Sequence, residues 1–337
     1  MRRVGPRQLR VAIDRPQPGL GSSISLVDQP GVLWRDGQLV PYADATCHIM
    51  SHAPARGSQV FDVLLAVPTA AGHCGVGLRN HVARFLRSAE MMGMEDVGEI
   101  GDLERAIAET VLANAGPASP TGYQGPLSVK IIAAWVEQAS GLLPTTLKPT
   151  VFIVTTPVGV DGSVRVLESS AKVRSADMPK IPAEVLPPSL KVAASYTPGL
   201  REQLRSRAMG FDHTAFRTVK GDLAESTTLS MMVVTNGRIL VPPLDNVLDG
   251  VTRRLVLDIA HYQGIPVEVR AVRWDEVRSA DELLLVSTSN VVVPISDLDD
   301  VSLSAPGPIT ESLATIAREL LAGDHSLSDK WLTKLTA

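Results

Sequence analysis

A lysine, a tyrosine and a glutamate stand at separations that could serve one reaction centre. Tyr196 follows Lys191 by five residues, and Glu225 follows Lys191 by thirty-four. Burial of a lysine favours its neutral amine, which can attack a carbonyl group and form a Schiff base. A phenol can hydrogen-bond an oxygen near that imine, and a carboxylate can keep the nitrogen of a pyridine ring protonated. Together the three residues indicate a site for pyridoxal phosphate (PLP).

Two later segments are suited to bind a phosphate. Gly250-Val251-Thr252-Arg253 opens a predicted helix, whose first amides lack internal partners and whose dipole favours an anion. Ser287-Thr288-Ser289 ends a predicted buried strand and offers three hydroxyl groups. Arg84 could add the cation that a phosphate dianion requires.

Each of these residues, taken singly, has an ordinary structural explanation. Lys191 could begin a helix at the surface, Tyr196 could be a packing residue, and Glu225 could be a solvated strand carboxylate. Thr252 could be only a helix N-cap, and Arg84 only a solvated helix residue. The order and spacing of the whole set are what indicate a cofactor site.

The composition argues against several other classes of protein. With 45% hydrophobic residues, the 337-residue chain can form two domains or one large one, and its net charge of −4 does not favour nucleic acid. No apolar run reaches the roughly 20 residues of a membrane span. The two cysteines, Cys47 and Cys74, indicate a reducing compartment, so we expect a cytoplasmic protein. No Cys/His cluster has zinc spacing, so we expect no metal. The chain also has no nucleophile elbow, Walker loop or Gly-x-Gly-x-x-Gly.

The hydrophobic pattern predicts two structural units. Residues 1–30 are interpreted as an extension, 31–157 as a small domain, 158–165 as a linker and 166–337 as a large domain. In the small domain we predict a hairpin that turns at Asp36-Gly37. The further elements predicted there are a strand at Gln59–Val67, helices at Asn80–Met94 and Leu103–Ala115, and strands at Leu127–Trp135 and Thr150–Thr155.

In the large domain the pattern favours strands, with Asn236-Gly237 as the strongest hairpin signal. The predicted strands are Val164–Ser169, Ala215–Val219, Leu223–Ser226, Leu229–Val234, Arg238–Val241 and Leu283–Val286. The predicted helices are Lys191–Met209, Thr252–Tyr262 and Ile309–Leu321.

The motifs together resemble one known family. From about Val32 to the last predicted helix, the chain is similar to the class IV (fold type IV) PLP aminotransferases, most closely to the branched-chain amino acid aminotransferases. The motifs that carry the likeness are His48-Ile49-Met50-Ser51-His52-Ala53, Gly57-Ser58-Gln59-Val60-Phe61-Asp62, His81-x-x-Arg84 with Ser88-Ala89, Lys191 with Tyr196, Glu225, Asn236-Gly237, Gly250-Val251-Thr252-Arg253, Ala280-Asp281-Glu282, Ser287-Thr288 and Pro294-Ile295.

This resemblance implies an α+β fold of type IV, with a small N-terminal and a larger, mostly β C-terminal domain and the active site between them. It implies PLP as cofactor, and a homodimer or higher homo-oligomer. Lys191 would form the Schiff base and shuttle a proton between the substrate Cα and the cofactor, while Glu225 pairs with the ring nitrogen and Tyr196 with the 3-oxygen. The residues implied to hold the phosphate are Arg84, Val251 through its amide, Thr252 and Thr288.

The chain departs from its family on the substrate side. Arg56 stands where a tyrosine is usual, Leu64-Leu65 stands where an arginine is often found, and Lys130 corresponds loosely to another family arginine. After Glu225 the usual glycine is replaced by Ser226. We expect Arg56 to face the pocket and to favour a substrate with a second anionic or polar group. The full set of substrate-side candidates is Arg56, Phe61, Lys130 and Thr228.

The resemblance predicts an aminotransferase that moves an amino group between an amino acid, branched-chain-like or altered, and a 2-oxo acid. Two alternatives use the same scaffold, namely an aminodeoxychorismate lyase-like enzyme and a D-amino acid or (R)-amine transaminase. The D-amino acid enzymes usually lack a tyrosine at the position of Tyr196. A third alternative is a PLP-binding homologue without turnover, which the altered stretch Ser226–Met232 leaves open.

Overall fold

The computed structural model describes residues 31–115, 119, 122–158, 164–167 and 169–336. The predicted extension, residues 1–30, and the greater part of the predicted linker, residues 159–163, lie outside the described residues. The described chain folds into two β-sheets with helices packed against them, which is an α+β architecture. No helix in the described ranges combines the length and the apolar character needed to cross a membrane.

The first sheet contains seven strands within the described ranges, and each neighbouring pair is antiparallel. In spatial order its strands are β16 (Leu332–Lys334), β4 (Gly72–Val76), β3 (Val60–Thr69), β5 (Leu127–Ala134), β6 (Thr150–Pro157), β1 (Val32–Arg35) and β2 (Gln38–Pro41). The helices of this part of the chain are α1 (His52–Arg56), α2 (Leu78–Met91) and α3 (Ile100–Asn114).

The second sheet mixes parallel and antiparallel pairs. In spatial order its strands are β12 (Val267–Val269), β11 (Arg238–Val241), β10 (Ser230–Thr235), β13 (Glu282–Val286), β14 (Val293–Leu298), β7 (Ala171–Ser175), β8 (His213–Arg217) and β9 (Leu223–Ser226), while β15 (Val301–Ser302) pairs with β14. Its helices are α4 (Thr197–Ala208), α5 (Val251–Tyr262), α6 (Trp274–Arg278), α7 (Pro308–Ala322) and α8 (Ser328–Trp331).

Strand β3 joins the two halves of the molecule because it is buried on both faces. Leu64 packs into a core that contains Phe85 of α2. Its neighbour Leu65 packs into a different core, which contains Val256 of α5 and Leu313 of α7. Successive side chains of a strand point to opposite faces, so the run of apolar residues serves two cores at once. The residues at the start of β3 are thereby fixed relative to both sheets.

The end of the chain returns to the first sheet. Strand β16 pairs with β4, and Trp331 just before it donates from Nε1 to Asp258 Oδ2 of α5 at 3.0 Å. The residues at the end of the chain therefore contact both parts of it. The division predicted at residues 158–165 stays a prediction.

Both predicted hairpin turns are confirmed. Asn236 and Gly237 have φ values of 48° and 73° and connect β10 to β11. Two consecutive positive φ angles match the twist of the flanking strands, and asparagine followed by glycine adopts them at the lowest cost. Asp36 and Gly37 make the equivalent turn between β1 and β2.

Two predicted elements are wrong. Lys191 does not begin a helix, because Val192 bridges Val60 in an extended segment, a 3-10 turn follows at Ala193–Tyr196, and α4 starts at Thr197. Pro198 then lies in the first turn of α4, where its missing N–H costs nothing. The strand predicted at Val164–Ser169 contributes only the Leu167 bridge within the described residues; the strand is β7, at Ala171–Ser175, where β8 and β14 provide partners.

Candidate active site

Lys191 is held between strand β3 and helix α2. Its carbonyl accepts a hydrogen bond from the Phe61 N–H at 3.2 Å, and its own N–H donates to Ser88 Oγ at 3.1 Å. The side-chain Nζ donates to the Tyr196 hydroxyl at 2.7 Å. The 3-10 turn between the two residues reverses the chain, so a separation of five residues becomes direct contact. The predicted amine and phenol therefore lie together.

Glu225 lies on the buried strand β9 and has a partner that the sequence did not indicate. Both carboxylate oxygens lie 3.3 Å from the Leu248 N–H. Oε1 also forms an ion pair with the Lys180 ammonium. Lys180 belongs to the proline-rich segment before Lys191, and its N–H donates to the Arg217 carbonyl of β8 at 2.9 Å. The strand next to β9 therefore anchors the backbone that delivers this second lysine.

The predicted phosphate segments also lie at the ends of regular elements. Gly250 precedes α5, and its carbonyl accepts the first intrahelical hydrogen bond, from the Arg254 N–H at 3.0 Å. The earlier amides of the helix thus have no intrahelical acceptor, which is the arrangement that binds anions. A Cβ on Gly250 would lie 3.0 Å from Ser230 Oγ, so glycine lets the helix start close to β10. Thr288 follows β13, and its hydroxyl donates to the Val63 carbonyl of β3 at 3.3 Å.

Arg84 is locked in a buried group with Asp62 and His81. Its Nε and Nη2 each donate to the Asp62 carboxylate at 2.7 Å, and its Nη1 donates to the Asp249 carbonyl at 2.9 Å. His81 Nδ1 lies 2.7 Å from Asp62 Oδ1. Burial by itself would raise the pKa of Asp62, but the charge of Arg84 and the contacts with His81 hold this pKa well below its usual range.

Burial lowers the pKa of His81, so its imidazole is neutral when it forms the hydrogen bond with the Asp62 carboxylate. The bidentate contact with Asp62 fixes the orientation of the Arg84 guanidinium.

One cavity is lined by the predicted cofactor residues and by Lys180. Its lining includes every predicted cofactor residue, namely Arg84, Lys191, Tyr196, Glu225, Val251, Thr252 and Thr288. The empty space within it, including the part that is open to solvent, is about 1020 Å³. Among the described residues, Ser226 Oγ and Arg253 Nε are buried in this lining without a hydrogen-bond partner.

These groups fit PLP. A primary amine, a phenol and a buried carboxylate line the same cavity, and a helix start with adjacent hydroxyls offers donors for a phosphate. The two unpartnered polar atoms add capacity for an additional hydrogen-bonded group.

The four substrate-side candidates do not all lie together. The Phe61 ring centroid is 4.8 Å from Lys191 Nζ and 4.8 Å from Lys130 Nζ, so Phe61 and Lys130 adjoin the amine. Burial, and then the charge of Lys191, lower the pKa of Lys130. Thr228 lines the cavity.

The expectation that Arg56 faces this cavity is wrong for the single chain. Arg56 is exposed at the end of α1, where Gly57 adopts a φ of 66°, and it donates to the carbonyls of Ala55 and Gly141. The turn after α1 directs this side chain to the loop before β6.

Two groups at the site were not predicted from the sequence. Asp62 was only part of a motif, although an acidic residue on an otherwise apolar strand signals a buried partner. Lys180 belongs to none of the predicted motifs, although it stands between two prolines, Pro179 and Pro182, in a chain that has few lysines.

Comparison with known proteins identifies the family. A model of the amino-transferase class IV family matches residues 59–298. The branched-chain-amino-acid aminotransferase of Pseudomonas aeruginosa is 26% identical over 92% of this chain and 99% of its own length. The branched-chain aminotransferase of the thermophilic archaeon Thermoproteus uzoniensis, solved with norvaline, is 26% identical, covers 91% of this chain and 100% of its own, and has a TM-score of 0.83. The PLP form of the Thermobaculum terrenum branched-chain enzyme has a TM-score of 0.84, with 25% identity over 92% of this chain and 100% of its own.

These likenesses extend over nearly the whole described fold and over the segments that line the cavity. They do not favour the lyase, the D-amino acid or (R)-amine transaminase, or the homologue without turnover. The predictions of fold type IV, of PLP as cofactor and of amino-group transfer between an amino acid and a 2-oxo acid are confirmed. The chain belongs to the class IV aminotransferases and is a PLP-dependent transaminase.

Proposed function

We propose that this enzyme takes the amino group from amino acids with apolar, branched-chain-like side chains and passes it to a 2-oxo acid. The observation that carries this proposal is the position of Lys191 Nζ, 2.7 Å from the Tyr196 hydroxyl and 4.8 Å from the Phe61 ring centroid. A substrate that reaches this amine meets an aromatic surface, which suits an apolar side chain. The substrate named for the relatives supports the same choice.

We further propose a role for each cofactor residue. PLP, when bound, supplies a carbonyl carbon for amines and a ring that accepts the electrons left on the substrate Cα. Lys191 would hold the carbonyl end, Tyr196 the 3-oxygen and Glu225 the ring nitrogen. The groups that would hold the phosphate are Arg84, the Val251 amide, Thr252 and Thr288.

In this proposal the chain's own groups perform the proton transfer. The Lys191 amine removes the proton from the substrate Cα, because it is the base that lies in the cavity beside Phe61. The Tyr196 hydroxyl keeps Nζ oriented through their hydrogen bond. Lys130, whose Nζ lies 4.8 Å from the Phe61 ring centroid, would attract the carboxylate of the amino acid and of the oxo acid. Thr228 would contribute a hydroxyl at the substrate end of the cavity.

The test is a panel of amino donors added to the purified, PLP-loaded protein, read by the loss of its yellow colour. We expect leucine, isoleucine and valine to react about tenfold or more faster than alanine or aspartate, since hydrophobic pockets discriminate by that order. Faster reaction with aspartate would contradict the apolar pocket. Reaction with D-amino acids or amines alone would contradict the branched-chain assignment and support the alternative transaminase.

We also propose a homodimer or a higher homo-oligomer. Two neighbouring loops expose large apolar side chains, Ile49 and Met50 on one and Leu142 and Leu143 on the other. The loops touch, since the Ala139 N–H donates to the Met50 carbonyl at 3.3 Å. Contiguous exposed apolar surface of this kind marks association sites. Light scattering on the eluting protein measures the state, and a monomer at micromolar concentration would contradict this proposal.

We also propose that the chain divides into two domains at residues 158–165. We further propose that the protein is cytoplasmic. Both cysteines are free, and Cys47 is exposed, which supports a reducing compartment. Cell fractionation tests the location, and recovery of the protein outside the cytoplasm would contradict it.

A further inference from the structure

The second lysine of the cavity, Lys180, is positioned to act on Glu225. Its ammonium pairs with Glu225 Oε1, and both residues line the cavity that holds Lys191. The pair is largely shielded from water, since the side chains of Lys180 and Glu225 are 24% and 10% exposed. The backbone hydrogen bond to Arg217 holds Lys180 beside β8, the neighbour of β9. The contact therefore rests on two anchored backbones rather than on a free surface side chain.

The protonation state of each residue in this pair depends on the charge of the other. Burial, and then the charge of Lys191, lower the pKa of Lys180 to about 7. Arg84, Lys191, Tyr196 and Arg253 are the other titratable groups in the lining. A buried carboxylate that lost its cation would itself favour the protonated form.

We propose that Lys180 is a positioning residue that keeps Glu225 ionised and oriented for the ring nitrogen of PLP. This inference rests on the proposed contact of Glu225 with that nitrogen. A carboxylate has two oxygens, so an ammonium at Oε1 leaves the second oxygen to accept a hydrogen bond. Lys180 thus acts through Glu225 and does not itself touch the reacting atoms.

The experiment compares wild type, Lys180→Met, Lys180→Arg, Glu225→Gln and the double variant, each loaded with PLP labelled with ¹⁵N in the ring. The ¹⁵N chemical shift reports whether the ring nitrogen carries a proton, independently of turnover. We expect the wild-type nitrogen to stay protonated from pH 5 to pH 6.5, below the Lys180 pKa of about 7. In Lys180→Met we expect the ¹⁵N shift to move toward the value of an unprotonated ring throughout this range, because without the ammonium a proton shared between the carboxylate and the ring lies more on Glu225. PLP affinity should fall by about tenfold, as for the loss of one charged hydrogen bond. Lys180→Arg should restore the wild-type behaviour.

The unfolding temperatures of the apo proteins provide a second measurement. Lys180→Met leaves a buried carboxylate unpaired, whereas the double variant leaves no charge, so we expect the double variant to unfold at a higher temperature than either single one. Lys180→Gln serves if Lys180→Met does not fold. Lys330→Met is the matched control, because Lys330 pairs with Asp258 outside the cavity, and it should leave the ¹⁵N shift unchanged.

Two outcomes overturn different claims. A ¹⁵N shift that Lys180→Met and Lys180→Gln leave identical to wild type across this pH range, with Glu225→Gln altering it, overturns the role of Lys180. A shift that Glu225→Gln also leaves unchanged overturns the underlying assignment of Glu225.

Discussion

The cofactor residues, which line the cavity, and the substrate-side candidates are positioned differently. Glu225, Thr252 and Thr288 each lie on or at the end of a regular element of the second sheet, with buried neighbours. On the substrate side, Arg56 ends a five-residue helix beside exposed loops, while Phe61 and Lys130 lie on strands of the first sheet. Backbone and sheet packing determine the cofactor side, whereas the substrate side depends on single side chains and loops. A chain can therefore keep the cofactor chemistry of its family while its substrate side changes.

Lys191 connects the two sides, and its removal should have the largest effect. In Lys191→Ala we expect kcat to fall by roughly 10³-fold or more, since the variant lacks both the nucleophile and the base. Rates with leucine and 2-oxoglutarate measure this, with Lys220→Ala, at an exposed turn, as the control. Turnover within tenfold of wild type would contradict the assigned base.

The second largest effect should come from substitution of Asp62, whose carboxylate accepts two hydrogen bonds from the Arg84 guanidinium. Asp62→Asn leaves the buried guanidinium without its carboxylate, and we expect a loss of about 3–5 kcal/mol in the free energy of unfolding. PLP affinity should fall as well, because Arg84 loses its orientation. Urea unfolding of the apo protein and PLP titration measure the two effects, and the exposed Asp44→Asn is the control. An unchanged stability would show that the Asp62–Arg84 contact contributes nothing.

The same carboxylate should give the stability a pH dependence. The pKa of Asp62 is lower in the folded chain than in the unfolded one, so its stabilisation is fully present above the unfolded value of about 4. It is lost as the pH falls further toward the folded value. The free energy of unfolding should therefore decrease below about pH 4 by less in Asp62→Asn than in wild type. Parallel curves for the two proteins would argue against this linkage.

On the substrate side, Lys130→Met should have a smaller and selective effect. We expect KM for the amino acid and the oxo acid to rise about tenfold, as for the loss of one charged hydrogen bond, with PLP affinity unchanged. Steady-state kinetics and PLP titration separate the two, with the exposed Lys148→Met as the control. A loss of PLP affinity equal to the rise in KM would place Lys130 on the cofactor side.

The smallest effect should come from Arg56. Because its guanidinium reaches only the carbonyls of Ala55 and Gly141, we expect Arg56→Ala to change kcat/KM by less than about twofold. The ratio of rates with leucine and glutamate tests this directly. A large change in that ratio would mean that Arg56 meets the substrate in an assembled oligomer, which would bring the substrate side closer to the family pattern.

The elements were predictable wherever the local signal was strong. The hairpins at Asp36-Gly37 and Asn236-Gly237 and helix α5 follow from positive-φ residues and from apolar periodicity. Helix α4 was predicted to start too early, because the pairing of Val192 with Val60 competes with helix formation and arises only between distant segments. Strand β16 gave no usable signal, since a three-residue strand is stabilised by its partner β4.

The sequence by itself determined tight turns such as Asn236-Gly237, whose residues favour positive φ angles. The contact between Lys191 and Tyr196 depends on a 3-10 turn at a place where the sequence predicted a helix. Only the tertiary structure decided which charges meet. Lys180 and Glu225 are forty-five residues apart, and Asp62 and Arg84 are twenty-two apart. Their contacts depend on how loops and helices pack on the two sheets. Local backbone preferences depend on the type of each residue, whereas the pairing of buried charges depends on packing between distant segments.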